Sequence, residues 1–346
     1  MIKPVILWTD ALVFLLVFAV LLFAFYARGK PHLRSPWRRI FSGRMAAASA
    51  VILLTYVSIG ILDSLHFRLP LENREAAQEA HYAVEVLSVL DVLLGPVRTR
   101  VEKSYSAPFA THLFTRETIE HPDGSQSRDY PRLEYGGAHL GDPAADRAAD
   151  IGQRAAVALL QALLATAAVL VLLGAVLARR HGIPLATATA NFLAARTGAQ
   201  WRPVLMTIGV VLLLVFLAVN LAGAYHVLGT DKVGQDVFYQ TLKSIRTGLV
   251  IGTLTTLVML PFAILLGIMA GYLRGWADDV IQYTYTTLNS IPGVLLIAAA
   301  ILMLQVYIAN NPQSFETTLE RADIRLLFLC IILGITSWTG LCRLLR

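Results

Sequence analysis

Charge is scarce in this sequence. Acidic and basic residues fill 15% of its 346 positions and hydrophobic residues 56%, with a mean hydropathy of +0.61. Soluble domains carry about a quarter charged residues, so a shortage gathered around long apolar runs excludes an ordinary soluble domain. Cysteine is nearly absent. Cys330 and Cys342 lie in or beside the last apolar run, a position for buried thiols and not for a disulfide framework or a cysteine-rich metal centre. No G-x-x-x-x-G-K-[ST] stretch occurs to cradle nucleotide phosphates. Neither an H-E-x-x-H zinc helix nor a G-x-S-x-G nucleophile turn occurs. His66, His81, His112, His121 and His139 are scattered over one polar region and read as surface or packing residues. An enzyme is disfavoured.

What the sequence has in plenty is membrane-length apolar runs. A helix needs about 20 apolar residues to cross the hydrocarbon core. Seven stretches qualify: roughly 5–27, 45–62, 154–178, 203–225, 247–272, 283–309 and 324–342. Only Lys3 stands as a basic residue before the first run, which argues against a cleaved signal peptide. The formal charge of +6 does not imply nucleic acid, because the basic residues flank apolar runs, where lipid topology places them.

Lysine and arginine set the orientation. Segment 28–44 carries Arg28, Lys30, Arg34, Arg38, Arg39 and Arg44 with no acid, and segment 179–202 carries Arg179, Arg180, Arg196 and Arg202 with none. Both are expected inside. Alternation then places Met1, 63–153, 226–246 and 310–323 outside, with 273–282 and the carboxyl end inside. The 63–153 segment is too long for a simple loop. Ala83, Leu87, Leu90 and Leu94 fall at helical spacing before Gly95-Pro96, and the remainder is turn-rich. A small α-rich cap and a docking surface for an extracytoplasmic partner both fit it.

Between the fourth and fifth runs stands "HVLGTDKVGQDV", residues 226–237. Gly229 and Gly234 permit turns that other residues resist. Thr230, Asp231 and Asp236 have the chemistry to cap a helix start. Phe238, Leu242, Ile245 and Leu249 share a helical face beyond, predicting a capped helix at the outer interface that leads into the fifth run.

The order of these residues resembles the C-type permease subunits of oligopeptide and dipeptide ABC transporters, inner-membrane components of binding-protein-dependent transport. "LGTDKVGQDV" resembles their L-G-T-D-x-x-G-R-D-[VL] signature, on Leu228, Gly229, Thr230, Asp231, Gly234 and Asp236. "SIRTGLVIGTL", "LGIMAGYLRGWADDVI", "LNSIPGVLLIAAAIL" and "GITSWTGLCRLLR" follow in the family's order. The likeness covers about 203–346, the expected permease core. Ahead of it lie two helices with a basic loop (1–62), an extracytoplasmic domain (63–153), and a third helix with its inner loop (154–202). The fold expected is an all-α, multi-span helical bundle with an extracytoplasmic insertion.

Three departures stand out. Gln235 replaces the family's arginine, and Arg274 replaces a turn glycine. The family's E-A-A-x-x-x-G coupling loop and two further spans would follow Arg346, so the sequence is either a fragment, incomplete at its carboxyl end, or a degenerate permease, and the fragment is the expectation. Three spans are also additional at the amino end. Trp-Arg before an apolar run at both 37–38 and 201–202 is a faint trace of internal repetition.

The resemblance implies half of a translocation path for peptides or similar small solutes in a bacterial inner membrane. It implies a homologous B-type permease, two cytoplasmic ATPase subunits carrying ATP and Mg, and an extracytoplasmic solute-binding protein. No cofactor or metal is expected on this chain. Polar residues in the spans are candidates for the path: Thr253, Thr255, Thr256, Asn289, Ser290, Gln305, Thr336, Ser337 and Thr339. Serine and threonine in lipid mostly bond their own helix or a neighbour, which leaves Asn289 as the stronger candidate. Pro292 just after it is a candidate hinge, and Pro261 a second kink. Gly267 and Gly271 share a face, expected to meet the partner permease. Arg343 and Arg346 anchor the inner end or flank the coupling loop. A non-transporting scaffold or sensor, and a membrane enzyme, remain the alternatives.

Overall fold

In a computed structural model, the described residues are 3–70, 82–120, 126–193, 201–315 and 317–346. In chain order the elements are β1 (Lys3–Val5), α1 (Trp8–Arg28), α2 (Pro31–Phe41), α3 (Arg44–Ser64), β2 (His66–Arg68), β3 (Leu87–Ser88), α4 (Val89–Leu93) and α5 (Gly95–Arg98). Then come β4 (Glu117–Glu120), β5 (Gln126–Asp129), α6 (Pro143–His181), α7 (Leu185–Leu193), α8 (Trp201–Ala222), α9 (Val237–Leu273), α10 (Trp276–Ser290), α11 (Gly293–Asn310) and α12 (Thr318–Leu345).

Helices α1, α3, α6, α8, α9, α11 and α12 are long and apolar enough to cross a bilayer. Helices suit lipid because they satisfy every backbone group internally. The threonines follow the same logic. Thr253 Oγ1 donates to the Leu249 carbonyl at 2.6 Å, Thr256 to Gly252 at 2.7 Å and Thr336 to Ile332 at 2.9 Å.

Two expectations of secondary structure need correction. The sixth run, expected as one span over 283–309, is broken. α10 ends at Ser290, Ile291 is extended (φ −83°, ψ 123°), and α11 starts after Pro292. Proline drives the residue before it out of the helical region, and here that ends the helix. The helical spacing at 83–94 also misleads. Phe67 pairs with Leu87 and His66 with Ser88 in an antiparallel ladder, so a helix forms only over Val89–Leu93. Gly95-Pro96 opens the short α5 with proline in its first turn, where the missing N–H costs nothing. Residues 71–81 lie outside the described residues.

The chain divides into two compact units. One comprises residues 1–24, 60–90 and 244–346. Its three-stranded sheet has the order β1-β2-β3. Val250, Leu254 and Cys330 form one buried cluster with Leu12 and Val13 against it. Ala263, Ala270, Ile281, Trp338 and Cys342 form another. Small residues permit this closeness. A Cβ on Gly334 would stand 2.5 Å from Val258 Cβ, and one on Gly267 2.8 Å from Leu345 Cβ. Gly271 faces the Arg346 backbone. The Gly267–Gly271 face therefore packs on α12 of the same chain, not on a partner subunit as expected. Both cysteines are buried and free.

The other unit comprises 25–59 and 91–243. α6 and α8 pack along each other and bring Asn220 Nδ2 to 2.7 Å from Gln161 Oε1. α6 starts on Asp142, whose carboxylate accepts from Ala144 N and Ala145 N, and ends on a left-handed Gly182, the two cap chemistries its sequence carries. Leu140, Ala224 and Tyr225 form a buried cluster after α8.

Candidate functional site

In the unit containing 91–243, the L-G-T-D stretch folds as a tight hairpin against residues 102–109. Both glycines are in the left-handed region, Gly229 at φ +77° and Gly234 at φ +79°. A Cβ on Gly229 would strike the Ser106 carbonyl oxygen, and one on Gly234 that of Glu102. Glu102 N donates to Gly234 O at 2.9 Å, and Phe109 N to His226 O at 3.0 Å. Thr230 Oγ1 donates to Ser104 O at 2.7 Å. Asp231 holds the turn itself: Oδ1 accepts from Val233 N and Gln235 N, both at 2.9 Å, and Oδ2 from Gln240 Nε2 at 2.6 Å. The Gln240 hydrogen bond, ahead of the opposing effect of burial, lowers the Asp231 pKa. Asp236 caps α9, accepting from Phe238 N at 2.8 Å and Tyr239 N at 3.2 Å. Of the three expected caps, then, only Asp236 caps a helix; Thr230 is buried against 104–106 and Asp231 closes the turn.

Behind the hairpin stands His226, enclosed by two carboxylates. Its Nδ1 is 2.6 Å from Asp236 Oδ2 and its Nε2 is 3.2 Å from Glu102 Oε1. The side chains of His226 and Glu102 are each 3% exposed, and that of Asp236 2%. With an acceptor at each nitrogen, the imidazole is satisfied only as a double donor, the cation. Burial opposes that charge, yet the bonds to Asp236 and Glu102 raise the His226 pKa to about 9. Glu102 also accepts from Glu134 N, Tyr135 N and Gly136 N at 2.9, 2.8 and 3.1 Å. Burial alone would raise its pKa; the bonds from His226 and these amides bring it down to about 2. The cluster thereby ties together strands of chain 124 residues apart. Tyr239 Oη and Lys243 Nζ add bonds to Asp91 at 2.7 and 2.8 Å.

The unit containing 244–346 has its own polar cluster, centred on Arg246. Its guanidinium reaches Asp10 Oδ1 at 2.5 Å, Thr9 Oγ1 at 2.9 Å, Ser64 Oγ at 3.2 Å and Asp323 Oδ1 at 3.6 Å. Thr9 donates to both oxygens of Asp323, through its backbone N and its hydroxyl. His66 Nδ1 lies 2.8 Å from Asp10 Oδ2, and Ser88 donates to Asp63 at 2.8 Å. The start of α1, the end of α3, the second turns of α12 and the early turns of α9 so meet at one level. These are four ends that lysine and arginine counting assigns to one side of the membrane. Among the described residues no group of three or more His, Cys, Asp or Glu is placed to hold a metal ion, and the cluster is an ion-pair network.

The pathway candidates lie in the same unit. Asn289 Oδ1 accepts from Thr339 Oγ1 at 3.0 Å, joining α10 to α12. Pro292 stands at the break between α10 and α11. Arg346 Nη2 reaches Asp278 Oδ2 at 2.6 Å, and Arg343 is exposed. Leu228, from the hairpin in the other unit, is 43% exposed. Arg274 takes a left-handed conformation, φ +48°, where the resembled family has a glycine. Sequence reasoning missed His226 and Glu102. His226 opens the quoted stretch, ten residues before its acidic partner Asp236, but nothing local announces Glu102.

Helices of membrane length, charge confined to helix ends and loops, and polar clusters joining those ends define an all-α multi-span membrane protein. Its curated homologues are permease subunits of glutathione, oligopeptide and dipeptide ABC transport systems. The chain is 36% identical over 85 residues to the glutathione transport system permease protein GsiD of Pectobacterium atrosepticum, covering 25% of this chain and 28% of that protein. It is 33% identical over 76 residues to the oligopeptide transport system permease protein OppC of Mycobacterium tuberculosis, 22% of this chain and 26% of that one. To the dipeptide transport system permease protein DppC of Lactococcus lactis it is 26% identical over 121 residues, 35% and 30% of the two chains. The chain thus spans between a quarter and a third of these relatives' length. No family model matches the chain, and no solved structure does.

Proposed function

We propose that this chain is a permease subunit of a bacterial inner-membrane ABC importer, forming half of the path for peptides or similar small solutes. The observation that carries the reading is the similarity to three permeases of glutathione, oligopeptide and dipeptide systems. The hairpin geometry supports it, since every signature residue except the exposed Leu228 has a definite local task there.

In this reading the chain is no enzyme and binds no cofactor itself. ATP and Mg sit on two cytoplasmic ATPase subunits, a B-type permease supplies the other half of the path, and an extracytoplasmic binding protein delivers solute. The hairpin Leu228–Gly229–Thr230–Asp231 with Gly234 and Asp236 serves at the outer interface. Asn289 and Pro292 serve the path and its hinge, and Arg343 and Arg346 flank the contact with the ATPase. Expression of the intact gene in its own membrane, affinity capture and identification of co-purifying proteins test this. Recovery of an ATPase and a second permease supports it. A chain recovered without any ATPase, whose outer region alone binds solute, would return the sensor reading.

A further inference from the structure

α2 is a short, cation-rich helix set between two membrane-length ones. It joins α1, which ends at Arg28, to α3, which starts at Arg44, through Gly29–Lys30 on one side and Ser42–Gly43 on the other. Both neighbours are membrane-length helices, so two-residue links hold all 11 residues of α2 at the bilayer surface. Its length of about 16 Å, at 1.5 Å per residue, suits lying along that surface.

Its residues divide by face. Leu33, Trp37 and Ile40 fall at i, i+4 and i+7 on one side, while Arg34, Ser35 and Arg39 fall on the other. Trp37 is 49% and Ile40 53% exposed. Segment 28–44 contains no acid to balance its cations. At the end of α1, Phe25 and Tyr26 are exposed as well, and Lys30 Nζ stands 5.9 Å from the centre of the Tyr26 ring. Aromatic rings with flanking cations are the composition of a membrane–water interface. Such a face, cationic on one side and apolar on the other, fits the headgroup boundary of an anionic leaflet.

We propose that α2 is an interfacial anchor that lays its Leu33–Trp37–Ile40 face into an anionic lipid leaflet. The inference needs only the multi-span fold and goes beyond the transport reading, so either can fail without the other. Charge complementarity selects the occupant. Each arginine near an anionic surface strengthens attachment about fivefold.

The full chain, carrying a nitroxide on Ile40→Cys or Arg39→Cys, is reconstituted in vesicles of phosphatidylglycerol or of phosphatidylcholine. Cys330 and Cys342 are buried, and the unsubstituted chain controls for their labelling. In phosphatidylglycerol the label at 40 is expected to be open to oxygen and shielded from a water-soluble nickel chelate, and the label at 39 the reverse. Neutralising Arg34→Gln is expected to shift the bound-to-free ratio of the label at 40 about fivefold toward free, while Arg34→Lys preserves it. A label at 40 open to the nickel chelate in phosphatidylglycerol overturns the proposal. So does equal shielding in the two lipids, or shielding that arises only on adding a protein subunit.

Discussion

The His226 cluster makes stability depend on pH in a defined direction. His226 is raised from 6.5 to about 9, so its contribution is complete below about pH 6.5 and is lost as pH rises through about 9. Glu102 is lowered from 4.5 to about 2. Its contribution is complete above about pH 4.5 and is lost as pH falls through about 2. The same ion pair enters both shifts, so the two are not summed. Raising His226 from 6.5 to about 9 corresponds to about 3 kcal/mol, or roughly three hundredfold in a local opening equilibrium. The amides of Glu134, Tyr135 and Gly136 report it directly, because their N–H groups close on the Glu102 carboxylate. Hydrogen exchange, corrected for its intrinsic pH dependence, is expected to show protection steady between pH 5 and 6.5. By pH 10 it should have fallen roughly three hundredfold. His226→Gln is expected to give low protection at every pH, since two buried carboxylates then lack their cation, a loss of about 3–5 kcal/mol. An imidazole titrating near 6.5, with protection unchanged above that, would refute the reasoning.

Three further outcomes follow from the geometry. Arg246→Ala leaves Asp10 and Asp323 without their guanidinium and is expected to cost about 3–5 kcal/mol, read as a lowered thermal midpoint in detergent; Arg246→Lys, lacking the planar fork, should recover only part. Gly234→Ala combines a positive φ with a collision at Glu102 O and is expected to cost more than about 2 kcal/mol, with exchange rising at Glu102 N and the 134–136 amides. Arg274→Gly relieves a left-handed non-glycine residue and is expected to stabilise by about 1 kcal/mol, seen as a higher midpoint; a lower one would mean that the arginine side chain supplies more than the strain removes.

How far the sequence could be read depended on the range of each interaction. Seven spans were legible because crossing lipid demands about 20 apolar residues in a row, and that demand is met locally. The hairpin was legible because φ > 0 selects glycine at 229 and 234. Pro292 is visible in the sequence but its full consequence is not: it ends α10 outright instead of bending one long span. The strand at Leu87–Ser88 was hidden by helical spacing, because its determinants lie elsewhere, in Phe67 and in the buried Ser88–Asp63 bond. His226 and Glu102 were hidden for the same reason, and so was the choice of α12 as the surface that Gly267 meets.

The first two amino-terminal spans, α1 and α3, which had no account in sequence, acquire one from Arg246. That arginine belongs to "SIRTGLVIGTL", one of the stretches resembling the permease core, and its guanidinium is held by Asp10 and Thr9 of α1 and by Ser64 of α3 as well as Asp323 of α12. An arginine at the head of a span could have been served by headgroups and water. Here its side chain is 11% exposed, and Asp10 is fully buried. Burying these charges is favourable only when each has its partner, so the start of α1 and the end of α3 are integral to the unit that houses the core-like helices. The same economy explains the sidedness inside that unit. Ion pairs gather where α1, α3, α9 and α12 reach one end, and Arg346 meets Asp278 where α10 and α12 reach the other. The stretch between holds Val250, Leu254, Cys330, Ala263 and Trp338, and its polar contacts include threonine back-bonds and the Asn289–Thr339 bridge. If α1 and α3 were mere tethers, Asp10→Ala would leave the thermal midpoint of the unit unchanged; the burial of Arg246 requires that it fall.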